Sequence, residues 1–130
     1  MIIDSSAIVA VFFREPGFEK LLDQLASASA AGIGTPTLVE TGIVLTARMG
    51  KDARTLVSRF VEEFEIQTIP FGEHHWREAV SAYAHFGRGR HPAALNFGDC
   101  MTYSVARLSD QPLLFVGDDF TETDLTPALI

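Results

Sequence analysis

One cysteine, Cys100, is the only thiol in this 130-residue chain. No internal disulfide can form, which fits a reducing cytoplasm. Cys100 itself reads as a small buried hydrophobe. The four histidines and single cysteine supply no Cys/His ligand set, so zinc chemistry is excluded. No apolar run approaches the length of a membrane span. No basic segment followed by an apolar core opens the chain; Met1-Ile2-Ile3-Asp4 runs directly into folded-looking sequence. Neither a secretory leader nor a membrane anchor is expected. Positive charge is also short, with a formal net charge of −7. Nucleic-acid binders are usually basic, but an acidic total can hide a local basic patch, and clustered acids recruit divalent metal. Repeats, linkers and low-complexity segments are absent. What remains is one domain over residues 1–130, with 47% hydrophobic residues to build its core.

Short apolar runs alternate with helical patterns. Met1 to Ile3 is cut off by Asp4-Ser5-Ser6, three capping residues, and Ala7 to Phe13 follows as a buried helix. Pro16-Gly17 breaks it, and Phe18, Leu21, Leu22 and Leu25 then mark an amphipathic helix. A small strand is expected around Gly32 to Gly34. Thr35-Pro36 opens a helix to Met49, with Thr35 as its capping hydroxyl and Gly50 as its stop. Asp52 opens another, with Leu56, Val57, Phe60, Val61 and Phe64 on one face. Ile66 to Pro70 reads as a strand, and Glu73 to Phe86 as a helix ended by Gly87. After the basic loop Arg88-Gly89-Arg90-His91-Pro92, Asn96 caps a helix carrying Met101, Val105 and Leu108. Leu113 to Val116 is a fully apolar strand, and a last short strand is expected around Asp124-Leu125. Such alternation predicts an α/β fold: a central, mainly parallel sheet between two helical layers.

In such a sheet, ligands bind beyond the carboxyl ends of the strands. Asp4 ends the first strand there, and Asp118 follows the last long one. Glu40 and Asp99 sit in the early turns of helices that begin at the same edge. Asp4 and Asp118 have a plain reading as caps, and Asp99 as a first-turn acid. Glu40 fits a plain reading less well, because it stands among Leu38, Val39, Ile43 and Val44, where an unpaired acid is costly. Gly98 beside Asp99 is a place where other groups can approach the backbone. Four converging carboxylates repel one another unless they bind protons or cations. An all-oxygen set suits Mg²⁺ or Mn²⁺ and points to metal-assisted phosphodiester hydrolysis.

The chain resembles the PIN-domain ribonucleases, in particular the VapC-type toxins of toxin–antitoxin pairs. The resemblance rests on Met1-Ile2-Ile3-Asp4-Ser5-Ser6-Ala7-Ile8, the Glu40 helix opened by Thr35-Pro36-Thr37, Gly87 to Cys100, and Leu113 to Phe120 with Thr123-Asp124. It implies a PIN-like three-layer αβα domain and Mg²⁺- or Mn²⁺-dependent endoribonuclease activity. Asp4 and Asp99 would be direct metal ligands, with Glu40 acting through water or helping to activate the nucleophile. Asp118 is preferred for the fourth acid, with Asp119 as its competitor. A homodimer and a cognate VapB-type antitoxin that obstructs the site are also implied. The apolar helices between Phe18 and Phe64 offer dimer faces. RNA needs cations, and Arg88, Arg90 and His91 on the loop before the Asp99 helix are candidates, with Arg14 as another.

Competing readings are weaker. A haloacid-dehalogenase-like phosphatase needs a second Asp two residues after Asp4, where Ser6 stands. A receiver domain needs a Lys after a late strand, and Leu113 to Phe120 has none. A PIN-like module that binds RNA or protein without cutting remains the alternative. His74, His75 and His85 read as surface residues. Trp76, Tyr83 and Phe86 have spacing that suits core packing better than base stacking.

Overall fold

Two residues of strand define both faces of the sheet, because successive side chains point to opposite sides. In β1 (Ile2–Ile3), Ile2 packs into a core with Leu95, Tyr103, Val105 and Leu113. Ile3 packs on the other side with Ile8, Leu21, Leu25, Ile33, Phe60 and Leu114. The computed structural model describes residues 1–129. Among the described residues, four parallel strands lie in the order β3-β2-β1-β4 between six helices. The other strands are β2 (Ala31–Gly34), β3 (Ile66–Ile69) and β4 (Leu113–Leu114). Helices α1 (Ser5–Phe12), α2 (Phe18–Ser27) and α4 (Arg54–Glu63) contribute to the Ile3 core. Helices α5 (Glu73–Phe86) and α6 (Phe97–Ser109) contribute to the Ile2 core. Helix α3 (Thr35–Met49) packs against α1 and α6.

The expected helices are present, with local corrections. Thr35 is not the cap of α3: Gly34 holds the N-cap position with no side-chain bond, and the helix leaves β2 directly. A Cβ at Gly34 would come within 2.8 Å of Val105 Cγ2, so the strand end lies tight against α6. Asp52 stands just outside α4 and accepts from the Arg54 amide at 3.0 Å. Gly50 ends α3 in the left-handed conformation (φ +70), as expected.

β4 is shorter than the apolar run Leu113 to Val116. Its partner β1 ends at Ile3, where the chain turns into α1, so no strand remains beside Phe115 and Val116. The Val116 amide donates instead to Ser6 Oγ at 2.9 Å. The tail strand expected at Asp124-Leu125 is absent. Thr126 and Ala128 bracket Leu113 with backbone bonds of 2.9 and 2.8 Å, forming a single bridge at Pro127. Cys100 is buried, and burial first, then Asp99, pushes its thiol up to about 11. Trp76 and Tyr83 are not core residues; they are 46% and 43% exposed. Only Phe86 of that trio turns inward, 5.7 Å from the Tyr103 ring centroid. None of the described helices is long and apolar enough to cross a membrane.

Candidate active site

β1 has neighbours on both sides, reached by connections that leave in opposite directions. That is the switch point at which open parallel sheets form a crevice. Asp4 stands there, buried, as the N-cap of α1. Its amide donates to Leu114 O at 2.9 Å and its Oδ2 accepts from the Ser6 amide at 3.1 Å. The next two residues hold the neighbouring segments. Ser5 Oγ donates to Glu40 Oε1 at 2.7 Å, and Ser6 Oγ accepts from Val116 N. Asp4-Ser5-Ser6 thus caps α1, orients Glu40 and fixes the chain leaving β4.

Glu40 is half-buried on α3. Its carboxylate rests on Gly98, where an added Cβ would meet Oε2 and lie 3.1 Å from Cδ. Below it, Thr37 and Thr102 share a buried 3.0 Å hydrogen bond that ties α3 to α6. In the sequence Ser5 reads only as a capping residue and Thr37 only as part of the start of the Glu40 helix, and Thr102 carries no signal. Gly98 did carry a signal, since a glycine beside a candidate acid allows close approach.

Asp99 occupies the third position of α6 and forms a capping box with Asn96. The Asp99 amide donates to Asn96 Oδ1 at 2.8 Å, and the Asn96 amide donates to Asp99 Oδ2 at 3.0 Å. Burial first, against the opposing pull of the Asn96 amide, and then the charges of Asp119, Asp4 and Glu40 together push the Asp99 carboxyl up to about 6. Asp118 is not among the charges acting on Asp99. It is exposed, and its carbonyl accepts from Thr121 at both the amide and Oγ1. Asp119 is exposed as well, and of the two it is the one whose charge acts on Asp99.

Among the described residues, no ion pair involves any of these four acids. Their charge is left without a protein cation, and the donor set is all oxygen. Both facts suit a hard divalent cation. As they stand, no three acid, histidine or cysteine side chains among the described residues are close enough together to chelate an ion. The fit is to a cation that keeps several waters and takes only one or two carboxylates directly, as Mg²⁺ commonly does.

The cationic candidates divide. Arg88 and Arg90 are exposed on a loop closed by bonds between Arg88 N and Leu95 O and between Leu95 N and Phe86 O, which carries it to the start of α6. His91 is partly withdrawn; its Nδ1 accepts from Ala93 N at 3.1 Å and its ring stands edge-on to Phe86. Arg14 lies just past the end of α1 opposite to the one that Asp4 caps, in the left-handed conformation (φ +49).

Residues 1–125 match the family model described as PIN domain. The chain is 46% identical over 126 residues to Ribonuclease VapC36 of Mycobacterium tuberculosis, covering 96% of this chain and 91% of that one. It is 39% identical over 129 residues to Ribonuclease VapC42 of the same species, covering 98% of each. In fold it is similar to M. tuberculosis VapC20, described as a sarcin-ricin loop cleaving toxin, with TM-score 0.80, 14% identity and coverage of 99% and 98%. A toxin–antitoxin complex from Klebsiella pneumoniae gives TM-score 0.70 at 15% identity, over 95% and 92%. At those identities the two structures speak to the fold alone. The sequence relatives carry the assignment: the chain belongs to the PIN domain family, among the VapC ribonucleases.

Proposed function

We propose that this chain is the toxin of a toxin–antitoxin pair, an endoribonuclease that hydrolyses RNA phosphodiester bonds in the cytoplasm. The observation that carries the reading is the cluster of Asp4, Glu40, Asp99 and Asp119, uncompensated by any protein cation among the described residues. We assign the fourth acid to Asp119 in place of Asp118, because Asp119 is the one whose charge acts on Asp99. Asp4 and Asp99 would hold a Mg²⁺ or Mn²⁺ ion directly, with Asp119 and Glu40 reached through its waters. When bound, the ion supplies charge stabilisation at the phosphate and a more acidic water.

The chain's own residues do the rest. Ser5 orients Glu40 by donating to Oε1, and Glu40 would take the proton of the attacking water. Water adds to phosphorus as the bond to the ribose oxygen breaks, and that oxygen takes its proton from solvent water. Arg88 and Arg90 meet the RNA backbone beside the Asp99 helix, and Arg14, past the opposite end of α1 from Asp4, is a further candidate contact. A homodimer and a cognate VapB-type antitoxin complete the assembly, the antitoxin placing a polar side chain such as arginine among the acids.

A second reading, a PIN-like module that binds without cutting, draws on one observation: among the described residues, no three acids stand within chelating distance. An RNA cleavage assay with Mg²⁺, Mn²⁺ or EDTA separates the two. The nuclease cuts with metal, stops in EDTA and stops in Asp99→Asn. A protein that binds RNA but cuts in none of these conditions is the binding module.

A further inference from the structure

Two rows of side chains run along α6. Phe97 and Met101 open onto an apolar groove of about 530 Å³ between α5 and α6, where Phe71, Trp76, Val80 and Tyr83 complete the lining. Asp99, Tyr103 and Arg107 form the second row, stacked one above the next by their spacing of four residues. This second row meets the segment that follows β4. Asp119 acts by its charge on Asp99, and Asp124 accepts from the Tyr103 hydroxyl at 2.6 Å and lies 3.8 Å from Arg107 Nε. The proposed reaction uses neither Tyr103 nor Asp124, yet Tyr103 is buried and its hydroxyl is bonded to that segment.

We propose that Tyr103 and Asp124 are positioning residues: their hydrogen bond sets where Asp119 stands against Asp99, and so how tightly the site holds its divalent cation. The proposal rests on the assignment of Asp119 as the fourth acid.

Asp119 is held by no contact of its own. It is exposed, and among the described residues its carboxylate takes part in no hydrogen bond or ion pair. Its place follows from the segment that carries it, which leaves β4 after Leu114 and returns to bracket Leu113 through Thr126 and Ala128. Beside Asp119, Phe120 is 2% exposed and packs 5.4 Å from the Phe115 ring centroid. Thr123 donates to the Phe120 carbonyl from its amide at 3.2 Å and from Oγ1 at 2.7 Å. Those bonds shape the turn but do not reach α6. Among the described residues, the Tyr103 hydroxyl makes the one hydrogen bond between this segment and the helix that bears Asp99.

That bond is well suited to fix a spacing. An O–H donor 2.6 Å from a carboxylate is short and charge-assisted. Burial first, and then Asp124, push the Tyr103 hydroxyl above its usual value, so it stays a donor. The ring is braced by Phe86, 5.7 Å away between centroids. One helical turn separates Tyr103 from Asp99, so the bond holds Asp119 at the level of its partner acid. Groups behind the ligands govern cation affinity when they fix the ligands' places.

Mn²⁺ binding to the antitoxin-free chain, without RNA, is the test. Electron paramagnetic resonance counts the free aqueous ion, and a melting curve is taken for each variant. Tyr103→Phe keeps the ring and deletes the donor; it weakens Mn²⁺ binding by about tenfold. Asp124→Ala does the same, while Asp124→Asn, which keeps an oxygen to accept, stays within about threefold of wild type. Asp119→Asn also weakens binding, and adding Tyr103→Phe to it brings no further loss, because both act through one group. If Tyr103→Phe does not fold, Asp124→Ala, alone and combined with Asp119→Asn, decides. A merely structural bond would lower the melting temperature of Tyr103→Phe and Asp124→Ala and leave Mn²⁺ binding as in wild type; that result overturns the proposal, as do losses that add in the double variant. If Asp119→Asn alone loses affinity, the positioning role falls and the fourth acid stands. If Asp119→Asn binds like wild type, both fall. A chain that shows the expected Mn²⁺ series and cuts no RNA overturns the nuclease and upholds the positioning role.

Discussion

Phe97, Gly98 and Asp99 are consecutive, yet they serve two regions built on opposite terms. Phe97 projects into the apolar groove, and Gly98 and Asp99 meet the acids. In the acidic pocket the polar groups have assigned partners: Ser5 on Glu40, the Ser6 amide on Asp4, the Asn96 amide on Asp99. In the groove, large apolar side chains face outward, and the polar contacts are confined to its rim, as where Trp76 Nε1 donates to Glu73 Oε2. The difference shows what each region requires. The pocket must hold repelling charges in place, so its scaffold is made of hydrogen bonds. The groove has to offer only area and shape.

The strongest way to break one region and spare the other is Asp99→Asn. Cleavage should fall by about 10²–10³, the loss expected when a key electrostatic group is removed. The amide oxygen can still accept from Asn96, so the helix cap survives. Cleavage rates report on the pocket and Trp76 fluorescence on the groove, and the fluorescence should not move. Gly98→Ala comes next. The new methyl has to displace the Glu40 carboxylate, and a misplacement of about 1 Å can cost roughly 10² in rate. If cleavage is unchanged, Glu40 does not need that position.

The pH dependence of stability sharpens the contrast. The Asp99 carboxyl is raised from 3.8 to about 6 in the folded chain, chiefly by burial. A folded value above the unfolded one adds stability that is complete below about pH 4 and lost as pH rises through 6. Discounted for the half-exposed position, the loss is about 1–2 kcal/mol. Melting temperatures of wild type and Asp99→Asn should diverge in favour of the variant as pH climbs from about 4 to 7.5. Added Mg²⁺ should narrow the gap by stabilising only the wild type; parallel curves would show that Asp99 carries no such strain. The smallest effect belongs to Ser5→Ala. Losing one hydrogen bond to Glu40 should lower stability by about 1 kcal/mol and slow cleavage. Denaturant midpoints measure the first and single-turnover rates the second.

Much of the fold could be read from local pattern. Phe18, Leu21, Leu22 and Leu25 announce α2 by their spacing, Gly50 stops α3, and Asn96 caps α6, because periodicity and capping act within one or two turns. Asp4, Glu40 and Asp99 were legible as candidates for the same reason: each stands at the start of a helix or the end of a strand on one edge of a parallel sheet.

Other features depend on contacts between residues far apart in the chain. β4 stops at Leu114 because β1 offers no further backbone, which the apolar run to Val116 cannot reveal. Asp118 and Asp119 are adjacent and chemically identical; only the path after Gly117, at φ +99, decides which one bears on Asp99. Trp76 and Tyr83 share the helical spacing of core residues but face outward, since spacing says which residues share a face and not what covers it. Sequence by itself determined the elements, the family and the list of acids, because these follow from short-range chemistry and motif order. Tertiary structure alone decided which acid after Gly117 bears on Asp99 and which apolar face is left open, because both depend on how separate segments pack across one sheet.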